Sequence, residues 1–155
     1  MNVVLVRVDD RLIHGQILES WVPFYGAKML IVASDGAAGN FIQRAAMRLA
    51  VPESIGLLVD GVNQLAHEMK RLQIRGDRTI LLLESVHDAL RMYRGGWSFS
   101  RLNLGNQRSC EDGVRMSDSV VLDSRAMEGL EKLSEWGVEI TVQSVPTDPL
   151  KIWTR

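Results

Sequence analysis

The run Val3-Val4-Leu5-Val6 leads directly into the sequence Arg7-Val8-Asp9-Asp10-Arg11-Leu12-Ile13-His14-Gly15-Gln16. The run is short and continuously apolar, which is typical of a strand covered on both faces of a parallel sheet. The polar residues behind it then occupy the first connection from a strand to a helix. In open α/β sheets, sites form outside the carboxyl ends of the strands. This part of the chain therefore predicts a site at that edge, with a helix beginning near Gly15 or Gln16.

The rest of the chain alternates short apolar runs with amphipathic stretches, the pattern of parallel strands joined by crossover helices. The predicted strands are residues 3–8, 29–33, 55–59, 79–83, 102–104, 119–122 and 138–143. In the last strand apolar and polar residues alternate, which predicts a half-exposed edge strand. We therefore expect one α/β domain over residues 1–155. Its sheet should be open and mostly parallel, with helices on both faces and the edge strand near the C-terminus.

Helical spacing of apolar residues predicts core-facing stripes on three helices. These stripes are Phe41, Ala45 and Leu49; Val62, Leu65, Met69 and Leu72; and Ala126, Leu130 and Leu133. Asp60, Ser85 and Asp123 each follow a predicted strand, where helix N-caps belong. Ser85 with Asp88 also resembles a capping box.

Composition excludes several classes of function. The chain has 155 residues, of which 18 are basic and 19 acidic, so no broad positive field would recruit nucleic acid. The single cysteine, Cys110, excludes an internal disulfide framework, and no Cys/His cluster has metal-ligand spacing. We expect no cofactor. No stretch approaches the roughly 18 to 20 apolar residues of a membrane span, and the first apolar run is too short for a signal peptide. We therefore expect a cytoplasmic protein.

The residues around His14 suit phosphoryl transfer. A neutral imidazole is a nucleophile near neutral pH, and a phosphoimidazole can pass its group onward. Backbone N–H groups at a helix start, approached through Gly15, can receive the phosphoryl charge. Arg11 offers a planar fork for two phosphate oxygens. Asp9 or Asp10 could accept a hydrogen bond from the proton on the other imidazole nitrogen and so fix the tautomer, or could position Arg11 instead. The sequence leaves this open.

An aspartyl-phosphate receiver is the alternative use of an acidic pair after a first strand. Asp9 and Asp10 would then bind magnesium, and Asp60 would be the acceptor. Such a domain also needs a lysine at the end of a late strand. The chain has lysines only at positions 28, 70, 132 and 151, none of which ends a predicted late strand. The receiver hypothesis is therefore disfavoured, and Asp60 is better explained as a helix cap.

The stretch 7–16 resembles a family signature, R-[IV]-D-D-R-L-I-H-G-Q. The family is the IIB component of the mannose/fructose/sorbose branch of the bacterial phosphoenolpyruvate-dependent sugar phosphotransferase system (PTS). Four further segments resemble the family in order and spacing: Ile31-Val32-Ala33-Ser34-Asp35, Ala50-Val51-Pro52, Asn103-Leu104-Gly105 and Val145-Pro146. The chain departs from the family's N-x-G-G-M loop by carrying Asn106 and Gln107.

The resemblance implies a phosphocarrier. His14 would accept a phosphoryl group, on Nδ1, from a phosphohistidine of the IIA protein, and would pass it to a sugar carried through the IIC/IID membrane complex. Arg11 would be important for that second transfer. The protein would associate peripherally with the membrane complex and would form a homodimer. The candidate catalytic residues are His14, Arg11 and Asp10, and the candidate phosphate-binding or site-lining residues are Asp9, Gly15, Gln16, Ser34, Asp35, Asn103 and Gly105.

Two other functions compete with this hypothesis. A regulatory phosphoprotein of the same fold would be phosphorylated on His14 without feeding a transporter, and a plain small-molecule binding module would not need His14. Partner contacts are expected around the site. The arginines that could form a positive collar there are Arg7, Arg11, Arg108 and Arg115, of which only Arg11 is placed firmly. Trp21 and Trp97 suit partner anchors and buried packing equally well.

Overall fold

Helices cover both faces of a nine-stranded sheet in the described residues, 2–72, 76–108 and 111–155, of the computed structural model. The strands are β1 (Asn2–Asp9), β2 (Met29–Ala33), β3 (Gly56–Asp60), β4 (Arg78–Leu83), β5 (Arg101–Arg108), β6 (Val114–Arg115), β7 (Val120–Leu122), β8 (Glu139–Val142) and β9 (Lys151–Ile152). The helices are α1 (Val22–Tyr25), which continues a π-helical segment (Ile17–Trp21), α2 (Asp35–Ala38), α3 (Phe41–Ala50), α4 (Val62–Leu72), α5 (Val86–Arg94) and α6 (Ser124–Glu135).

The order of strands is β3-β2-β4-β1-β5-β7-β6. All pairs from β3 to β7 are parallel, and β6 is antiparallel to β7. β8 pairs in parallel with the first half of β5, and β9 closes that side in antiparallel fashion. The predicted α/β class with an open, mostly parallel sheet is confirmed. β1 lies in the centre, so its carboxyl end opens at the middle of one sheet edge.

Alternate residues of the central strands face two separate cores. Val6 and Val8 pack with residues of α4, α5 and α6, whereas Leu5 packs with Ile17 and Trp21 on the opposite face. The predicted stripes on α4 and α6 lie against the first core and are confirmed. Among the described residues, none of the helices is long and apolar enough to cross a membrane.

The predicted core stripe of α3 is wrong. Phe41 is 76% exposed and Leu49 is 88% exposed, together with Ile42 at 79%. The helix contacts the core through Met47, the only residue of α3 that is buried. The apolar stripe therefore lies on the solvent side, and α3 reaches the second core through a different face, that of Met47.

The half-exposed edge strand is also a wrong prediction. β8 lies between β5 and β9, and Ile140, Thr141 and Val142 are all buried. The polar Thr141 can be buried because its hydroxyl oxygen accepts a hydrogen bond from Asn103 Nδ2 at 3.1 Å. A buried polar residue with a hydrogen-bond partner therefore produces the same alternation of apolar and polar residues as an exposed one.

Two of the three predicted caps are confirmed. The side chain of Ser85 accepts a hydrogen bond from Asp88 N, and that of Asp123 accepts one from Ala126 N. Asp60 is not the cap of α4, because it ends β3 and its carboxylate accepts from Gly61 N instead. The first N–H of α4 donates instead to a residue of α2, because Val62 N lies 3.0 Å from Asp35 Oδ1.

Candidate functional site

The connection after β1 is held in one conformation. Leu12 has a φ of 57°, a left-handed conformation that costs a non-glycine residue about 1–3 kcal/mol. Its side chain is buried, and its N–H donates to Asp9 O at 2.9 Å. Helical turns begin at Gly15, as predicted. Burial of Leu12 thus offsets the backbone strain and fixes the loop that carries His14.

His14 lies on the rim with its two ring nitrogens in different environments. Nε2 is 3.0 Å from Asp9 Oδ2, and Nδ1 accepts a hydrogen bond from Gln16 N at 3.3 Å. An ionised carboxylate can only accept, so the contact with Asp9 places the imidazole proton on Nε2. Nδ1 therefore keeps its lone pair. The imidazole is 16% exposed and remains accessible from the rim.

Arg11 binds the same carboxylate from the solvent side. Its Nε donates to Asp9 Oδ1 and its Nη2 to Asp9 Oδ2, both at 3.1 Å, which makes a bidentate pair. Nη2 also donates to Gln16 Oε1 at 3.0 Å. The side chain of Arg11 is 39% exposed. Asp9, Arg11, His14 and Gln16 are thus brought together around one carboxylate, and Asp9 is the acid that contacts the imidazole.

The carboxylate of Asp9 is fully buried and remains charged. Burial by itself raises the pKa of Asp9, but hydrogen bonds from His14 and Arg11 and the positive charge of Arg7 outweigh it and lower the pKa to about 2. Asp9 is therefore an anion at neutral pH. It can hold a proton on His14 Nε2 without competing for that proton.

Arg7 is the main functional residue that sequence reasoning placed wrongly. It is fully buried instead of forming part of an exposed collar, and its Nη2 lies 3.2 Å from Asp9 Oδ2. Arg7 also donates to Asn103 Oδ1 at 2.5 Å. The available signal was its position between Val6 and Val8 on a strand that is covered on both faces, where an arginine must be enclosed.

Asp10 turns away from the imidazole toward β5. Its carboxylate accepts hydrogen bonds from Asn106 Nδ2 and Arg108 N, and its own N–H donates to Asn106 O. The neighbouring Gln107 uses its side-chain oxygen to accept from Val86 N at the start of α5. The two residues that depart from the resembled loop therefore have structural partners. Asp10 anchors the loop to β5.

Ser34 and Asp35 lie at the same edge of the sheet but bond elsewhere. Ser34 is buried and caps α2 by accepting from Ala37 N. Asp35 pairs with Arg91 at 2.7 Å, and this hydrogen bond lowers the pKa of Asp35. Glu84, which directly follows β4, was not predicted as a site residue; burial raises the pKa of its carboxyl against the opposing effect of a hydrogen bond from Ser34.

The remaining predicted features are mostly structural. Gly105 approaches the guanidinium of Arg7, whereas Gly15 has open space around it. Trp21 and Trp97 are both buried, which favours packing over partner anchoring. Arg108 and Arg115 are exposed, and Arg115 lies near Asp118. Within the described parts of the chain, no three His, Cys, Asp or Glu side chains are grouped so that they could hold a metal ion; Cys110 lies outside those parts.

Comparisons with known proteins agree with the geometry. The family described as "PTS system sorbose subfamily IIB component" matches residues 3–155. The chain is 32% identical over 148 residues to the N-acetylgalactosamine-specific phosphotransferase enzyme IIB component 2 of Escherichia coli, covering 96% of this chain and 94% of that protein. It is 28% identical to the fructose-specific EIIB component of Bacillus subtilis, over 96% and 91% of the two chains.

Solved structures and a longer relative extend this similarity. The IIBSor domain of the sorbose permease from Klebsiella pneumoniae superposes with a TM-score of 0.88 at 26% identity, over 97% of this chain and 93% of that one. The mannose-specific EIIAB component of Escherichia coli is 28% identical over 96% of this chain, which spans only 46% of that protein. The chain therefore belongs to the IIB components of the mannose/fructose/sorbose family of the PTS, which take part in sugar phosphotransfer.

Proposed function

We propose that the chain accepts a phosphoryl group on His14 Nδ1 from a phosphohistidine of a IIA protein and passes it to a sugar presented by a IIC/IID membrane complex. The observation that carries this proposal is the 3.0 Å contact between His14 Nε2 and the buried, ionised Asp9. It holds the proton on Nε2 and leaves Nδ1 unprotonated, so that the lone pair of Nδ1 can attack phosphorus once it gives up the hydrogen bond from Gln16 N.

The first transfer forms a bond between His14 Nδ1 and phosphorus as the P–N bond of the donor breaks. The donor nitrogen keeps the electron pair of that bond. The imidazole ring of phosphorylated His14 is then positively charged, because Nε2 retains its proton, and the negative charge of Asp9 stabilises that ring. In the unphosphorylated protein Gln16 N–H donates to His14 Nδ1, and after transfer it is placed to donate to a phosphoryl oxygen instead.

The second transfer reverses these roles. A sugar hydroxyl oxygen forms a bond to phosphorus and its proton passes to solvent, while the P–N bond breaks and Nδ1 keeps that electron pair, so the imidazole returns to its neutral form with the proton on Nε2. Arg11 is the residue suited to this step, since its guanidinium is partly exposed and can bind two oxygens of the group in transit. The relatives named for N-acetylgalactosamine, fructose and sorbose support a sugar as the acceptor.

The partners follow from the same comparisons. The mannose-specific relative joins A and B components in one name, which supports a IIA protein as donor. We propose that the chain works in the cytoplasm and docks peripherally on the membrane complex. Donor and acceptor must each bring a reacting atom within roughly 3 to 3.5 Å of Nδ1. Such encounters are typically small and transient.

The test is phosphorylation with labelled phosphoenolpyruvate, the general phosphotransferase proteins and a IIA protein of the mannose family. Wild type and His87→Ala should acquire label, whereas His14→Ala should not. His87 is a matched control, because it lies in the helix α5 away from the loop. The label should be acid-labile and stable in alkali, unlike an aspartyl phosphate. Label that persists in His14→Ala would contradict the assignment. Transfer to sugar in the presence of IIC/IID separates a transport role from a regulatory one.

A further inference from the structure

The guanidinium of Arg7 is enclosed on every side behind Asp9. Nη1 donates to Asn103 Oδ1 at 2.5 Å and to Gln143 O at 2.8 Å, and Nη2 donates to Ser144 O at 2.9 Å. The ring of Trp21 lies against it, with its centroid 4.9 Å from Cζ. These contacts fix the guanidinium from the strands and loops behind the site, so it cannot turn toward the rim.

Asp9 therefore has two arginine partners with different freedom. Arg7 Nη2 reaches Asp9 Oδ2, the same oxygen that contacts His14 Nε2, and Arg7 is fully buried. Arg11 spans both oxygens of Asp9 but is 39% exposed, and its other contact is with the side chain of Gln16. Only Arg11 can leave the carboxylate for a phosphoryl group.

We infer that Arg7 is the positioning residue of the site: it stays as the counter-ion of Asp9 and keeps the Asp9–His14 contact in place when Arg11 turns to the phosphoryl group. This inference rests on the proposed function of His14. Arg7 and Arg11, which both bind the carboxylate of Asp9, then have different roles. Arg7 fixes the imidazole through Asp9 and never meets the phosphoryl group, whereas Arg11 handles the group in transit.

Gly105 gives independent support. A Cβ atom at this position would lie 1.9 Å from Arg7 Nη2 and 2.0 Å from Cζ, so a side chain here and the observed guanidinium exclude each other. The backbone is also held, since Ser119 Oγ donates to Gly105 O at 2.7 Å. Glycine at 105 is therefore a requirement of the Arg7 position. Gly105→Ala should displace Arg7 while leaving Asp9, Arg11 and His14 unchanged in chemistry.

The energetics point the same way. Burial lowers the pKa of Arg7 to about 10, against the opposing effects of the charge and hydrogen bond of Asp9. The guanidinium charge is thus held in an unfavourable environment. The cost of removing two charges from water can exceed the attraction between them, so a buried ion pair need not stabilise the fold. A charge kept at such a cost fits a role in positioning the carboxylate.

The experiment measures the imidazole tautomer of His14 by nitrogen-15 NMR in the unphosphorylated protein. We expect the Nε2–H form to dominate in wild type. Arg7→Gln and Gly105→Ala should each lower the ratio of the Nε2–H to the Nδ1–H form by about tenfold, the effect of weakening a charge-assisted hydrogen bond. Arg7→Lys keeps the charge and should recover part of the ratio. Arg101→Gln, at an exposed pair with Glu139, is the matched control and should leave it unchanged.

Arg11→Gln imitates the state in which Arg11 has left Asp9. With Arg7 present, this variant should change the tautomer ratio by no more than about twofold, whereas the double variant should lose the preference. Equal effects of Arg11→Gln and Arg7→Gln would overturn the inference, as would wild-type ratios in folded Arg7→Gln or Gly105→Ala. If Arg7→Gln does not fold, Gly105→Ala and Arg7→Lys decide. A wild type that cannot be phosphorylated would refute the proposed function, but the tautomer comparison needs no phosphoryl group and would still stand.

Discussion

Replacing Asp9 with asparagine should destabilise the protein substantially at neutral pH. The substitution keeps the shape of the side chain but leaves the buried guanidinium of Arg7 without its counter-ion. Breaking one partner from a buried pair costs about 3–5 kcal/mol. Arg7 would keep its bonds to Asn103 Oδ1 and two backbone carbonyls, so we expect the lower end, about 3 kcal/mol.

The cost of Asp9→Asn should become smaller as the pH falls. The pKa of the Asp9 carboxyl falls from 3.8 to about 2 on folding, so its contribution to stability is fully present above about pH 5 and is lost as the pH falls toward 2. At pH 3 the wild type should have lost about 1 kcal/mol of this contribution. Asp9→Asn has no such group. The difference in unfolding free energy between the two proteins should therefore shrink by about 1 kcal/mol from pH 7 to pH 3.

Urea denaturation of both proteins at pH 7 and pH 3 measures the difference. Asp10→Asn is the matched control, because Asp10 is the neighbouring acid but is exposed, and it should cost less than about 1 kcal/mol. The account of Asp9 as a buried anion would be refuted by a cost of less than about 1 kcal/mol for Asp9→Asn at pH 7. A difference that does not change between the two pH values would also contradict it.

Three further substitutions test separate features. His14→Ala should keep the fold, with a loss of only about 1 kcal/mol measured by thermal unfolding, because the rim imidazole contributes little core packing; a much larger loss would indicate a structural histidine. Arg11→Lys should still allow phosphorylation of His14 but slow onward transfer, because lysine lacks the bidentate geometry; equal loss in separate assays of the two half-reactions would contradict this division. Ser85→Ala removes the cap of α5 and should cost about 1 kcal/mol by urea denaturation, and an unchanged midpoint would show that Gln107 alone supports that helix end.

Much of the architecture could be predicted because it depends on local patterns. The continuous apolar runs of β1 and β4 gave a parallel sheet covered on both faces, and the loop after β1 then had to lie at its carboxyl edge. The motif also predicted that His14, Arg11 and Asp9 lie in one loop. Their sequence separation is five residues or fewer, so one tight loop suffices to assemble them.

The errors arose where long-range contacts override a local pattern. Phe41 and Leu49 have the spacing of a core stripe, yet the face on which a helix packs is decided by the sheet beneath it. Asp60 lies at the end of a strand, where a cap belongs, but Asp35 at the start of α2 accepts the hydrogen bond from the first N–H of α4. The choice of Asp9 over Asp10 and the burial of Arg7 depend on β5 and on the loop after β8. No pattern within residues 7–16 contains those contacts.

The central claim is that His14 carries the phosphoryl group on Nδ1 while Asp9 holds Nε2. The most direct measurement is nitrogen-15 and phosphorus-31 NMR of the protein phosphorylated through its IIA donor. We predict a phosphorus–nitrogen coupling to Nδ1 of His14 and a proton retained on Nε2. A phosphoryl group on Nε2 would contradict the account, because Nε2 would then have to leave the buried carboxylate of Asp9. A phosphoryl group on a residue other than His14 would contradict it as well.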